Sequence, residues 1–508
     1  MQKENFLLFI LCLLLFTGCF TSKNFDSAKK FSKEQLQQDY TLLRNILEKK
    51  HPALYWYTPK DSMNYYFDSI YHVISDSMTE LQFGWKVLAP LSNKIHCGHT
   101  SFGMSKSWNK NIRGKRVPSF PLFLKIWGDT MVVTGNLNRK DSLIKRGALI
   151  TSVNGVSNKE LISQMMQYLP LDGYSESANY IRLSSNFPLY HRYIFGIYNN
   201  YSVGYIDADG IKKTAFLPMY NPLLDTAWRR QRLINFQRPS RKKKKIEKRE
   251  SERSLIIDTT LNTATLLLNT FSNGESLHLR SFIQQSFKKI SQQNIAHLII
   301  DLRSNGGGDV PIYIKLLQYI RHTKFKVADT AYAVAKNLSP FSTNIKQGFF
   351  NNLTLLFLTR KHTDGYYHFG YWERHWYHPK SNHHFNGQVY VLTSGPTFSA
   401  STLFCSAVKG QENVKLIGEE TGGGWHGNSG IMIPDITLPI TKLRVRLPLF
   451  KLVQFNHVPK NGRGVMPDIY IPPTLEGVRK NIDRKMQAVK ELIRVSNIAD
   501  SKNLVNEN

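Results

Sequence analysis

Hydroxyl side chains are concentrated in the stretch LTSGPTFSAST, residues 392–402, where a strand-like run gives way to a helix-like run. Ser399 stands at the start of that predicted helix, where unpaired backbone N–H groups and the helix dipole favour negative charge. A serine hydroxyl held there could act as a nucleophile, and the N–H of Ala400 could stabilise the resulting oxyanion. A serine in a turn is nevertheless most often structural, and Thr397 and Ser401 have the positions of turn or helix-cap residues.

Two other segments carry chemistry that would complement such a serine. The run Asn305-Gly306-Gly307-Gly308 follows a strand-like segment, and it lacks the Gly-Lys-Ser/Thr that a phosphate-binding loop would need. Its other use is a tight turn that exposes backbone N–H groups toward a developing oxyanion. In KIHCGHTSF, His99 offers an imidazole suited to taking a serine proton and returning it, and His96 is the nearby competitor.

The segments that carry these residues alternate between strand-like and helix-like patterns from residue 254 onward. AHLIIDLRSNGGGD and QVYVLTSG read as strands that run into loops, whereas LRSFIQQSFKKISQQN and SASTLFCSAVKG have helical periodicity. This alternation predicts an α/β fold whose functional loops lie at the carboxyl ends of strands. We assign residues 254–495 to this core and residues 496–508 to a polar tail.

The first half of the chain contains two further predicted regions. Residues 31–110 form a helical region whose first helix begins with a capping box, Ser32 followed by Gln35. Residues 111–225 are β-rich, with turns expected at Gly128-Asp129 and Asn154-Gly155. This second region resembles the later part of a PDZ domain, a fold that binds peptides by adding them as an extra strand.

The N-terminus predicts export. Lys3 precedes an apolar run that is too short to span a membrane, so we interpret residues 1–18 as a signal peptide. Thr17-Gly18-Cys19 resembles a bacterial lipobox, which would make Cys19 the lipidated first residue and residues 19–30 a tether. An ordinary signal peptide cut nearby is the alternative. Cys97 and Cys405 remain for the mature fold, either as one disulfide or as two buried thiols, and no clustered Cys/His set indicates a metal.

Charge is strongly biased, with 67 Lys and Arg against 37 Asp and Glu, a net +30. Part of the excess is local, because RPSRKKKKIEKRESER (238–253) contains nine basic and three acidic residues. We interpret residues 226–253 as a solvated basic linker or insertion. Binding of an anionic polymer is the alternative.

Taken together and in order, several motifs identify a resemblance. LIIDLRSNGGGD, VYVLTSGPTFSASTLFCSAVKG, VKLIGEETGGG and GRGVMPDIYIPP are similar to motifs of the S41 serine peptidases, a family that includes the C-terminal processing peptidases and the tricorn protease core. The resemblance implies a crotonase/ClpP-like α/β peptidase core behind the helical and PDZ-like regions. It also implies Ser399 as nucleophile and an oxyanion hole formed by the backbone of Gly307, Gly308 and Ala400.

The general base distinguishes the subfamilies of this resemblance. Processing peptidases use a Lys in the loop after GE-x-T, where this chain has Gly424, so a Ser/Lys mechanism is not expected. Tricorn-like members use a His instead, and Gly98-His99-Thr100 matches their segment. The carboxylate expected before Gly-Val is absent, because Asn461 stands there; its amide could orient the imidazole. Asp468 fits a structural role, and the alternative acids are Glu419 and Glu420.

The sequence therefore predicts an exported serine endopeptidase with a Ser/His mechanism, anchored to the cell envelope, and preferably the outer membrane, by a lipid on Cys19. Peptides or proteins are the expected substrates, and neither a cofactor nor nucleic acid is expected. The alternative is a catalytically lapsed relative that acts as a peptide-binding envelope protein, because the usual Lys and carboxylate are both missing.

Overall fold

The computed structural model describes residues 25–139, 143–207, 209–226, 240–274 and 276–506, with side chains up to residue 498. The predicted signal peptide, Cys19 and the first half of the predicted tether (19–24) lie outside these residues. None of the described helices has the length and apolar content needed to cross a membrane.

Helices dominate the N-terminal region. Its first helix begins as the sequence predicts, because the Ser32 hydroxyl accepts the Gln35 N–H while the Gln35 side chain accepts the N–H of Ser32. The elements are α1 Lys33–Lys50, α2 Lys60–His72, α3 Glu80–Phe83, the π-helical turn Gly84–Leu88, α4 Ala89–Lys94 and α5 Lys106–Ile112, with the two-residue strands β1 Lys30–Phe31, β2 Met78–Thr79 and β3 Phe102–Gly103.

The middle region is an antiparallel sheet with two helices. Its elements are β4 Leu122–Trp127, β5 Thr130–Asn136, β6 Leu149–Val153, β7 Val156–Ser157, α6 Asn158–Met166, α7 Ser177–Phe195, β8 Asn200–Ile206 and β9 Lys212–Pro218. The strand order is β4-β5-β6-β8-β9, and β7 pairs with β6. The two predicted turns connect β4 to β5 and β6 to β7, and Asn154 and Gly155 take φ angles of 50° and 81°. The likeness to a PDZ domain stays a prediction.

Part of the predicted basic linker or insertion is helical. Residues 241–252 form α8 (Arg241–Glu252), none of whose residues is buried. The side chain of Ser240 accepts the N–H of Lys243, and Lys, Arg and Glu have good helix propensity, so the local sequence favours a helix without any packing. Residues 227–239 lie outside the described part of the chain.

The core is built on a six-stranded sheet in the order β10-β11-β12-β16-β17-β22, in which β10 alone runs antiparallel. Between residues 253 and 374 the elements are β10 Arg253–Asp258, β11 Thr263–Leu268, α9 Leu279–Gln292, β12 His297–Asp301, α10 Val310–Gln318, β13 Ala328–Ala333, α11 Gly348–Leu358, β14 Arg360–Lys361, β15 Tyr367–His368 and α12 Gly370–Arg374. The remainder are β16 Gln388–Thr393, α13 Ala400–Val408, β17 Val414–Gly418, β18 Gly427–Ile431, β19 Asp435–Thr437, β20 Arg444–Arg446, β21 Phe450–Gln454, β22 Ile469–Tyr470, α14 Leu475–Lys480 and α15 Arg484–Asn506.

Both faces of this sheet are covered, which is why its strands read as continuous apolar runs. Leu298 and Ile300 of β12 pack with α9 and α10 on one face. On the other face, Ile299 packs with Val489 and Ile493 of α15. Helix α15 continues past residue 495 into the predicted polar tail and ends at Asn506.

Two smaller sheets join the core to the rest. One has the order β14-β15-β13-β21-β18, which leaves β18 at its edge. The other has the order β19-β20-β3, so that a strand of the N-terminal region pairs with the core. The N-terminal region is thus held against the edge of the core that carries the ends of β12 and β16.

Candidate active site

Ser399 lies at the sharp turn between β16 and α13. Its backbone has φ 55° and ψ −123°, a conformation that a residue with a side chain rarely adopts. Such a conformation costs on the order of 1–3 kcal/mol and persists only where the surroundings impose it. The turn leaves the serine partly exposed at the N-terminus of a buried helix.

The hydroxyl of Ser399 differs from those around it. Thr397 Oγ1 donates to the carbonyl of Leu302 at 2.9 Å, and Ser401 Oγ donates to the carbonyl of Asn305 at 2.6 Å. Ser399 is the N-cap residue of α13, yet its side chain makes no capping hydrogen bond. Its neighbours are therefore structural hydroxyls, whereas Ser399 Oγ is available for chemistry.

His99 and Ser399 border the same small space, beside Gly430. A methyl group added at Gly430 would lie 2.8 Å from His99 Nε2 and 2.9 Å from Ser399 Oγ. Neither ring nitrogen of His99 has a hydrogen-bond partner within the described residues, so the serine–histidine hydrogen bond is not formed in this arrangement. The two atoms nevertheless border one space, and a side chain at position 430 would displace both of them.

The environment of His99 keeps its imidazole neutral. The residue is 3% exposed, and its ring lies 4.7 Å from the ring of Phe398. Burial, followed by the charges of Arg446 and Arg182, lowers the pKa of His99 to about 3. A neutral imidazole can accept a proton, but the resulting cation requires a nearby negative charge.

Asp172 is the carboxylate that the site brings close to His99. Cys97, His99 and Asp172 are all buried, and a ligand-type atom of each lies within 4.8 Å of the other two. Asp172 accepts the N–H of Gly98 at 3.0 Å and the N–H of Gly424 at 2.9 Å. Burial raises the pKa of this carboxyl to about 6. Asp172 is not recognisable from the sequence, because an Asp-Gly pair in a loop carries no signal beyond a turn.

The same three residues have the types that bind zinc, so we considered a metal site. Both oxygens of Asp172 already accept backbone N–H groups, and Cys97 Sγ lies 2.9 Å from Ser429 Oγ. Burial raises the pKa of the Cys97 thiol to about 11, so a metal would have to displace its proton. The contacts fit a hydrogen-bonded scaffold around His99 better than a ligand set. Cys97 and Cys405 are both free thiols.

The glycine-rich loop packs directly against the serine. A Cβ on Gly307 would lie 2.7 Å from Ser399 Cβ and 2.9 Å from the Ala400 nitrogen, so only glycine permits this approach. The N–H of Gly307 itself donates to Asn305 Oδ1 at 2.9 Å. Among the described residues, no hydrogen bond engages the N–H of Gly308 or of Ala400. These two groups are the free backbone donors beside Ser399.

Residues 244–471 match the family model described as Peptidase family S41. The chain carries an S41 peptidase domain. S41 enzymes are serine-type peptidases, so residues 244–471 form a serine-type peptidase domain by family.

Solved structures agree with the fold of the S41 domain and of the regions before it. The crystal structure of mature CPAF is similar to this chain with a TM-score of 0.62 and 14% identity, covering 91% of this chain and 97% of that one. Mature CPAF complexed with lactacystin gives a TM-score of 0.59 at 14% identity, covering 91% and 98%. The photosystem II D1 C-terminal processing protease gives 0.39 at 15% identity, covering 88% and 96%. A comparison with curated protein sequences gives no significant match.

The remaining predicted residues of the S41 domain have other partners. The structure does not bring Asn461 to His99, because its side chain is exposed and its Oδ1 accepts the N–H of Arg463. Asp468 accepts the N–H of Leu416 and pairs with Lys409, as expected of a structural residue.

The two glutamates and the competing histidine are also engaged elsewhere. Glu420 pairs with Arg463 at 2.6 Å, and Glu419 pairs with Lys485. His96 has its Nδ1 2.6 Å from the carbonyl of Gly173. Thus none of the residues that the sequence offers for orienting the imidazole, Asn461, Glu419 or Glu420, takes the place of Asp172 beside His99.

Proposed function

We propose that the chain is an endopeptidase in which Ser399 attacks the peptide bond and His99 serves as the general base. One observation carries the proposal: Ser399 Oγ and His99 Nε2 border the same space beside Gly430, within 2.9 Å and 2.8 Å of a single point. The hydroxyls of Thr397 and Ser401 both donate to backbone carbonyls, whereas that of Ser399 makes no capping hydrogen bond and is available to react.

In the proposed reaction, Ser399 Oγ bonds to the carbonyl carbon of the scissile peptide while its proton passes to His99 Nε2. The carbonyl oxygen becomes an oxyanion that accepts the N–H groups of Gly308 and Ala400. The C–N bond then breaks, and His99 returns the proton to the leaving amine. Water repeats the sequence on the acyl-serine, giving the carboxylic acid and the free serine. A rotation of the Ser399 side chain would close the gap to the imidazole.

Asp172 is proposed as the residue that positions His99 and stabilises its cation. At a separation of 4.8 Å, a carboxylate and an imidazolium attract each other by about 3 kcal/mol at an effective dielectric constant of about 20. The bonds from Gly98 and Gly424 fix the carboxylate in place. Asp172 would thereby supply the charge that is absent at position 461.

The site is suited to an extended peptide. Strand β18 runs beside Ser399 and pairs only with β21 among the described strands, so one of its edges is unpaired. An extended substrate can bind such an edge through main-chain hydrogen bonds. Export and lipid attachment at Cys19 complete the proposal, on the strength of the sequence alone.

A second function is favoured by one observation. Both His99 nitrogens lack hydrogen bonds, so the described side chains do not hold the imidazole in a reactive orientation. A lapsed relative that binds peptides without cleaving them would have this property.

Cleavage of casein and of a peptide library, followed by mass spectrometry, tests the proposal. Ser399→Ala and His99→Ala should each lower kcat by about 10⁴-fold or more, because the nucleophile and base act as a unit. Ser304→Ala, at an exposed serine beside the glycine-rich loop 305–308, is the matched control and should keep full activity. Binding of library peptides without cleavage by the unaltered chain would support the second function. Cleavage that survives Ser399→Ala would refute the nucleophile.

A further inference from the structure

Helix α11 exposes large apolar side chains to solvent. Five of them lie on one face and are between 37% and 69% exposed: Phe349, Phe350, Leu353, Leu356 and Phe357. Only Gly348 and Leu355 of this helix are buried. Contiguous apolar surface of this kind is unusual on a soluble domain and marks a site of contact.

The spacing of these side chains makes the face continuous. They occupy positions i, i+1, i+4, i+7 and i+8, which span an arc of roughly 120° around a helix with 3.6 residues per turn. Leu355 points the other way, into the cluster that joins the N-terminal region to the core. The wide apolar face of an amphipathic helix normally packs on the protein, whereas here it points outward.

Basic residues flank this face at both ends. Lys346 precedes the helix, Arg360 and Lys361 follow it, and all three are exposed. Within the described part of the chain, none of them takes part in a salt bridge. Arg360 donates to the carbonyls of Phe357 and Thr359, which holds its guanidinium at the end of the helix. Aromatic and aliphatic side chains bordered by cations are typical of helices that lie in a membrane interface.

We propose that α11 docks on a lipid bilayer that contains anionic headgroups, with its exposed apolar face inserted at the boundary of headgroups and acyl chains. A net charge of +30 favours the approach to such a surface.

A second copy of the chain fits this face less well than a bilayer does. A two-fold axis would bring the Lys346 end of one helix against the Arg360 and Lys361 end of the other. Cations would then oppose cations at both ends of the contact, and like charges that face each other across an interface disfavour association.

The contact is independent of the active site and of a lipid on Cys19. It is therefore tested with the chain from residue 20 onward, which lacks Cys19 and cannot be lipidated there. The chain is floated with vesicles of phosphatidylcholine alone and of phosphatidylcholine with phosphatidylglycerol. The variants are Phe350→Ser/Phe357→Ser, which removes apolar surface, and Lys346→Glu/Lys361→Glu, which reverses charge. Phe216→Ser/Ile256→Ser, at side chains that are 72% and 63% exposed elsewhere, is the matched control.

Flotation with the anionic vesicles is expected for the unaltered chain and for the control. Each α11 variant should reduce the partition coefficient by about tenfold or more, because it removes buried apolar area or electrostatic attraction. Because the substituted side chains are exposed, circular dichroism should show that the variants stay folded. Equal flotation of the Phe350→Ser/Phe357→Ser variant would overturn the proposal. A dimer in solution that becomes a monomer in that variant would also overturn it, in favour of a second copy.

Discussion

Substitution of Gly430 by alanine should separate the two reacting groups without removing either. The new methyl carbon would lie 2.8 Å from His99 Nε2, 2.9 Å from Ser399 Oγ and 3.0 Å from Asn428 Oδ1. Ordinary van der Waals contact begins at 3.4 Å. His99 Nε2 and Ser399 Oγ must therefore each move away from the new methyl carbon by about half an ångström.

The expected effect on catalysis follows from this displacement. The two displacements can separate nucleophile and base by up to roughly 1 Å, and a misplacement of that size costs about 100-fold in rate. Such a loss corresponds to about 2.7 kcal/mol of transition-state stabilisation. Stability should fall by only about 1–3 kcal/mol, as is usual when a methyl group is forced into a packed site.

The assay is kcat on the best peptide from the library, together with the rate of Ser399 labelling by a fluorophosphonate. Both should decrease in Gly430→Ala while KM changes little, since the substrate's own contacts are not altered. Gly306→Ala is the matched control, because a Cβ at Gly306 meets nothing within 4 Å. Full activity in Gly430→Ala would refute the reasoning, since the space beside Gly430 could not then be where the proton is transferred.

Three further outcomes are expected. Asp172→Asn should lower kcat about 100-fold, as the imidazolium of His99 loses a charge worth about 3 kcal/mol; reduced stability with unchanged kcat would contradict that role. Asn305→Ala should lower the free energy of unfolding in urea by about 2–3 kcal/mol, because the Gly307 N–H and the carbonyl of Leu268 each lose their hydrogen bond to the Asn305 side chain. Burial lowers the pKa of His191 to about 4, below its unfolded value near 6.5. The contribution of the neutral imidazole to folding stability is therefore complete above pH 6.5 and is lost as the pH falls toward 4. Between pH 7 and pH 4, the free energy of unfolding of His191→Phe should therefore decrease by about 3 kcal/mol less than that of the unaltered chain, as measured by denaturant titration. Identical pH dependence of the two proteins would contradict the burial argument.

Much of the core follows from local pattern. β12, β16 and β17 are short continuous apolar runs because both faces of their sheet are covered, and such runs can be recognised in the sequence. Parallel neighbours end at the same edge, so the loop with Gly307 and the turn with Ser399 were expected to meet there. Their meeting is a consequence of topology rather than of any single motif.

Other features depend on contacts that local pattern does not encode. Asp172 takes its importance from Gly98 and Gly424, which are 74 and 252 positions away in the chain. The outward orientation of α11 could not be predicted either, because an apolar helical stripe ordinarily indicates a buried face. Helix α8 is the opposite case: its charge content predicts a solvated segment, and only the helix propensity of Lys, Arg and Glu favours a helix there.

The hydrogen bonds that Gly98 and Gly424 donate to Asp172 also bear on when this chain could become active. They tie a loop of the middle region to the N-terminal region and to the S41 domain, so three segments that are synthesised at different times must dock together. A chain that has folded only its last part would present Ser399 without His99 or Asp172 beside it. Under the proposed mechanism, a chain whose three regions have not yet docked would therefore be inert toward its neighbours and itself, and completion of the whole fold would serve as the activation step.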